Sequence, residues 1–134
     1  MDVQELIENF SFIDDWEERY RYLIEIGEDL PEMDVAARID DNKVEGCTSQ
    51  VWIDFDDSQE NVIQFTADSD AMIVKGLIGI LSITFNGKTY AEVQKIDIQE
   101  IFAELGLDQH LSPNRRNGFF SMVERIGDKA AGRI

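Results

Sequence analysis

The stretch from Ala71 to Phe85 constrains this chain more than any other part of it. It is apolar apart from Lys75 and a few small polar residues. Read as a helix, it is apolar on nearly all sides, and such a helix is buried rather than laid on a surface. The fold must therefore be built around it. It falls short of the roughly 18–20 residues that a membrane span requires. Gly76, Gly79 and Ser82 form a stripe of small residues spaced by three. Glycine weakens a helix by about 1 kcal/mol relative to alanine. Two of them here point to close approach by another backbone, with the sheet as the expected partner, or to glycines tolerated by packing alone. Asp68-Ser69-Asp70 stands ready as the N-cap of this helix.

The remaining elements follow from capping signals and periodicity. Asp2 with Glu5 and Asp14 with Glu17 both have capping-box spacing. The first precedes Leu6, Ile7 and Phe10 on one helical face. The second precedes Trp16, Tyr20, Leu23 and Ile24, on a helix ending near Gly27 before Leu30-Pro31. Residues 32–43 read as a loop. Gln50 to Phe55 alternates like a strand, Asp56-Asp57-Ser58 turns, and Val62 to Thr66 is the expected second strand of an antiparallel hairpin. After the buried helix come a turn at Asn86-Gly87-Lys88 and helix starts at Thr89 with Glu92 and Asp97 with Glu100. Ile98, Ile101, Phe102 and Leu105 share a face that stops at Gly106. Ser112-Pro113 opens a last amphipathic helix carrying Phe119, Phe120, Met122, Val123 and Ile126. The pattern predicts one α+β domain over residues 1–134, a small antiparallel sheet packed against helices.

Charge restricts the partners. Asp and Glu number 28 against 12 Lys and Arg, for a net charge of -16. Nucleic acid and anionic membrane surfaces are disfavoured, because affinity for them rests on neutralising phosphate. The excess is uneven: residues 1–60 hold 19 acids and 4 bases, residues 61–134 hold 9 acids and 8 bases. That is either a solubilising surface or a steering face for a basic partner. One cysteine forms no internal disulfide and suits a reducing compartment. The N-terminus lacks a signal-peptide pattern, so the expected location is the cytoplasm.

That cysteine, Cys47, sits in Val44-Glu45-Gly46-Cys47-Thr48-Ser49-Gln50-Val51-Trp52. A glycine before it and small polar residues after it read as a tight loop entering a strand. A lone cysteine is commonly a buried small hydrophobe, but the polar context favours an accessible thiol. One Cys and one His cannot make a zinc or iron–sulfur site of the usual Cys/His type within one chain. No phosphate-binding glycine motif is present; Gly76-Leu77-Ile78-Gly79 lies inside the apolar helix. Reactivity requires the thiolate, which an unperturbed thiol supplies only to a few per cent at neutral pH. A nearby cation raises that fraction. Lys43 is nearest in sequence, Arg115 and Arg116 are candidates in space, and Arg116 is better read as a surface partner of acids. A Cys–His hydrolase pairing Cys47 with His110 is formally available.

Several blocks, in order along nearly the whole chain, resemble one family. They are Trp16-Glu17-Glu18-Arg19-Tyr20, Leu23 to Gly27, Leu30-Pro31-Glu32, Asn42 to Trp52, Asp68-Ser69-Asp70-Ala71, Val74 to Ile78, Gln109 to Arg115, and Gly118. The sequence is similar to SufE and its relative CsdE, the sulfur acceptors of iron–sulfur cluster assembly. The resemblance implies an α+β fold like that of SufE and IscU-type scaffolds, with the cysteine loop held against an apolar pocket until a partner docks. It implies that Cys47 accepts persulfide sulfur from a cysteine desulfurase of the SufS or CsdA kind and stimulates it. A downstream cluster scaffold is a further implied partner. Pyridoxal phosphate belongs to the desulfurase, so no cofactor is expected in this chain. Gly46, Thr48, Ser49, Gln50, Asp70 and Arg115 take supporting or docking roles, Arg115 as a cation near the thiolate or persulfide. The chain is then a carrier rather than an enzyme, as monomer or homodimer. A Cys–His hydrolase and an interaction module with a structural cysteine are the competing classes.

Overall fold

Helix starts in this protein are set mainly by side-chain oxygens that take free first-turn amides. The computed structural model describes residues 1–134. Helix α1 (Val3–Ser11) is capped by Asp2, which accepts from the Glu5 amide at 2.8 Å. Helix α2 (Trp16–Glu28) is capped by Asp15, one residue later than the Asp14 expected, because Asp15 has the extended backbone that a cap requires. Residues 32–43 contain two 3₁₀ turns, Val35–Ala37 and Asp40–Asn42. Strands β1 (Val51–Phe55) and β2 (Phe65–Ser69) pair antiparallel. Helix α3 (Met72–Phe85) follows, then α4 (Tyr90–Lys95) with a complete capping box between Thr89 and Glu92. Helices α5 (Ile98–Glu104), α6 (Leu107–His110) and α7 (Pro113–Ala130) complete the chain. Ser112 caps α7, and Pro113 occupies its first turn. The fold is α+β, a two-stranded antiparallel sheet among seven helices. No helix is long and apolar enough to cross a membrane.

The second strand lies three residues later than Val62 to Thr66. The reason is a competing pairing. The Ile63 amide donates to the Lys88 carbonyl, the Gly87 amide donates to the Ile63 carbonyl, each at 2.8 Å, and Val62 bridges to Thr89. The turn after α3 thus holds residues 62–63. Ladder pairing starts at Phe55 with Phe65 and ends at Val51 with Ser69. This moves Asp68 and Ser69 out of the expected cap and into the sheet. Ala71 is the N-cap residue of α3 and makes no side-chain capping bond. Asp68 is buried at 4% exposure, and its carboxylate pairs with Arg38 and with Lys75 Nζ, the latter at 3.3 Å. A buried carboxylate needs such partners to stay ionised without a large desolvation cost.

Helix α3 is the hub. Ten of its 14 residues are buried, and it packs on α1, α2, α7 and β2. The glycine stripe meets α2, not the sheet. A Cβ added at Gly76 would lie 2.3 Å from the Leu23 carbonyl oxygen, and one at Gly79 would lie 2.3 Å from Ile26 Cγ2. From the other side, a Cβ at Gly27 would come within 2.8 Å of the Gly76 amide nitrogen. The two helices therefore touch backbone to backbone, which only glycine permits.

Two alanine substitutions should have opposite signs. Gly76→Ala meets a main-chain oxygen that cannot swing aside, and overpacking of roughly 1–3 kcal/mol outweighs the helix-propensity gain of about 1 kcal/mol. Gly127, in α7, has open space around an added Cβ, so Gly127→Ala is expected to stabilise by up to about 1 kcal/mol. Urea unfolding of both variants checks this; a Gly76→Ala protein as stable as the parent would contradict the contact.

Candidate functional site

The cysteine loop is closed at its base by two backbone contacts. Lys43 bridges to Trp52, and the Val44 amide donates to the Val51 carbonyl at 2.9 Å. Residues 45–50 therefore leave and rejoin the molecule at the head of β1. Gly46 has φ +87°, a left-handed conformation that favours glycine. It also lies against α7, where an added Cβ would sit 2.7 Å from Ser121 Oγ. At the far end of the loop the Gln50 amide donates to Asp70 Oδ1 at 3.1 Å, and the Asp70 amide donates to the Gln50 carbonyl at 3.3 Å. Asp70 thus fastens the loop and does not cap α3 as its sequence position suggested.

Cys47 comes to rest on α7. Its half-buried thiol donates to the Gly118 carbonyl at 3.6 Å, a weak sulfur hydrogen bond. A Cβ at Gly118 would approach Sγ to 3.4 Å, so the absence of a side chain there lets the thiol lie against the helix. Beside the sulfur is a cavity of about 20 Å³, room for one water-sized atom. Val51, Val74, Leu77, Phe119 and Met122 supply its apolar wall. Thr48 and Ser49 border it from the loop, and the exposed Arg115 borders it from the first turn of α7.

The other sequence candidates lie elsewhere. Lys43 does not border the cavity; its carbonyl, with that of Asp41, accepts from the Arg125 guanidinium. Arg116 donates to the Asp108 carbonyl at 2.6 Å. His110 is stacked on Trp16 with ring centroids 3.7 Å apart, outside the Cys47 cavity. It borders a separate groove of about 620 Å³ with Tyr20, Ile24, Ile73 and Arg115. Cys47 thus has no histidine partner for a hydrolase dyad. A broad depression of about 740 Å³ lies at the Phe55 end of the sheet and is lined by no thiol, imidazole or cation. No group of three His, Cys, Asp or Glu side chains converges to hold a metal ion.

The sequence pattern assigned nothing to Ser121 and Arg125 and placed Met122 only on the apolar face of the last helix, although the three form the bed and brace of the loop. Gly118 stood out only within the family resemblance; a glycine inside a helix, where alanine would serve better, is the local signal that marks its contact with the thiol.

Burial pushes the Cys47 thiol above its ordinary pKa. The resting loop therefore holds a protonated, poorly nucleophilic sulfur. Because the folded pKa is raised, the stabilisation is fully present below the unfolded thiol's pKa and is lost as pH rises through the folded value. Alkylation of Cys47 by iodoacetamide should be slower at neutral pH than that of free cysteine, with its inflection displaced to higher pH. An inflection at or below that of free cysteine would contradict a desolvated resting thiol.

Known proteins share both the sequence and the fold. Residues 4–130 match the family described as SufE: Fe-S metabolism associated domain. An uncharacterized SufE-like protein of Rhizobium meliloti (strain 1021) is 44% identical over 135 residues, covering 98% of this chain and 96% of that protein. An uncharacterized SufE-like protein of Rhizobium etli is 45% identical over 131 residues, covering 96% of this chain and 88% of the relative. A hypothetical protein from Thermus thermophilus, solved in solution, superposes with a TM-score of 0.77 at 17% identity, covering 97% of this chain and 93% of its own; it shares the fold. With the family matched over nearly its whole length and two relatives above 40% identity, the chain belongs to the SufE family, associated with Fe–S metabolism.

Proposed function

We propose that this protein is a sulfur acceptor, taking persulfide sulfur from a cysteine desulfurase onto Cys47 and stimulating that enzyme for iron–sulfur cluster assembly. The observation that carries the reading is the state of the thiol. Cys47 is the protein's only thiol, and it sits on a short loop over an apolar one-atom cavity with no histidine beside it. A hydrolase with such a nucleophile would lack its base. An acceptor has no need of one in its own chain, because the reactive sulfur arrives already activated on the donor.

In the proposed step the Cys47 thiolate attacks the outer sulfur of the donor persulfide. One S–S bond forms and one breaks. The donor cysteine leaves as a thiolate and the outer sulfur remains on Cys47 as a persulfide anion, so nothing is oxidised or reduced overall. Pyridoxal phosphate belongs to the desulfurase. Arg115, beside the cavity, is the cation that would favour the anionic sulfur. Gly46 gives the loop its left-handed turn, Thr48 and Ser49 line the cavity, and Gln50 with Asp70 fixes the loop's end. These residues support presentation of the sulfur and docking of the partner. The apolar wall would shield a persulfide from stray oxidants.

Incubation with a cysteine desulfurase, pyridoxal phosphate and cysteine, followed by mass measurement without reductant, should add one sulfur atom to the protein. Cys47→Ser should add none and should fail to stimulate the desulfurase. No adduct and no stimulation across purified candidate desulfurases would defeat the proposal. Arg115→Ala should slow the transfer roughly tenfold, as expected for losing one contact to a charged group.

A further inference from the structure

The cysteine loop is unevenly held. None of the amides from Glu45 to Ser49 has a well-formed hydrogen-bond partner, and no bond is accepted by their carbonyls. The stem is different. Its returning side is held by Asp70, and its leading side by Arg125, half-buried four residues beyond Ser121 on α7. Arg125 Nη2 donates to the Asp41 carbonyl at 2.7 Å, and Nη1 donates to the Lys43 carbonyl at 3.2 Å. Its Nε is buried without a partner. No carboxylate pairs with this guanidinium; it is spent on two main-chain oxygens just ahead of the loop. Hydrogen bonds from a charged donor are among the stronger ones.

We infer that Arg125 is a positioning residue for Cys47: by clamping the Asp41 and Lys43 carbonyls it keeps the stem still, so that only residues 45–49 swing when the thiol is presented. The flap pivots between two fixed points, the Val44–Val51 pair and the Gln50–Asp70 pair. Cys47 sits near its middle, held to α7 by the weak Sγ bond to Gly118, by partial packing of its side chain on the core and by the packing of Gly46 on Ser121. Those contacts break cheaply, whereas the clamp does not. The sulfur therefore travels a short arc of fixed radius to the same place each time. As far as sulfur transfer is concerned, the inference rests on the acceptor reading; as a statement about the loop it does not.

Arg125→Gln tests it with two readouts of opposite sign. With the stem loosened, iodoacetamide should label Cys47 in the free protein about fivefold faster, the factor that corresponds to losing about 1 kcal/mol of closure. The maximal rate of sulfur transfer from the desulfurase should fall, while the concentration giving half-maximal rate stays unchanged. Arg125→Lys, which keeps the charge and can reach a carbonyl, should restore part of both. Unchanged labelling in a folded Arg125→Gln protein would overturn the inference. If that variant does not fold, the parent protein decides by NMR. The Arg125 Nη protons should exchange slowly and couple across hydrogen bonds to the Asp41 and Lys43 carbonyl carbons, and the Val44 amide should exchange far more slowly than that of Thr48. A freely rotating guanidinium, or equal exchange at Val44 and Thr48, would overturn it. A desulfurase that transfers nothing to the parent protein would defeat the acceptor reading and leave the labelling and NMR results to judge the clamp.

Discussion

Everything in this structure depends on two helices that touch without side chains between them. Gly27 and Gly76 bring the backbones of α2 and α3 together, and Gly79 receives Ile26. That contact fixes α3 as the hub, and α3 in turn supplies two consecutive roles toward the site. Val74 and Leu77, one helical turn apart, form part of the cavity wall beside Cys47. Lys75, between them and facing another way, helps to hold the buried Asp68 at the end of β2. A shift of α3 along α2 would move the wall and the end of the sheet together.

The loop above that wall illustrates how a fold can make a nucleophile quiet. Nothing masks Cys47 covalently. Its reactivity is lowered by partial removal from water, which favours the neutral thiol, and by a carbonyl that accepts a hydrogen bond from it. Both effects would vanish if the loop left α7. Such protection is reversible and needs no second group to be displaced, which suits the acceptor role proposed for Cys47.

Much of this was legible in the sequence because it is written in local chemistry. The caps at Asp2, Thr89, Asp97 and Ser112 each involve residues three apart, and all four are found. The buried character of α3 follows from its composition alone. What could not be read locally was pairing between distant segments. The Val62–Thr66 stretch has strand-like residues, but the turn at Asn86–Thr89 competes for its first half and displaces the ladder. The same displacement converts Asp68 from a helix cap into a buried ion-pair member. Cys47 was conspicuous as a lone cysteine after a glycine, whereas Arg125 carried no signal: an arginine in an amphipathic helix ordinarily reads as a solvated face. Only its reach across 84 residues to Asp41 gives it a role.

The Asp68 carboxylate has a further consequence for how such a sequence can change over generations. It gathers Arg38 from just past the first 3₁₀ turn, itself from the sheet, and Lys75 from α3. An ion group of this kind is no strong source of stability, since an apolar replacement of the whole set can serve equally well. Its members are not equally replaceable, however. The Arg38 and Lys75 side chains keep 34% and 41% of their surface, so both can turn to water if Asp68 is exchanged, whereas losing both cations strands the buried carboxylate. Drift at these three positions is therefore correlated: either cation can be lost while the other remains, but both only once Asp68 has changed.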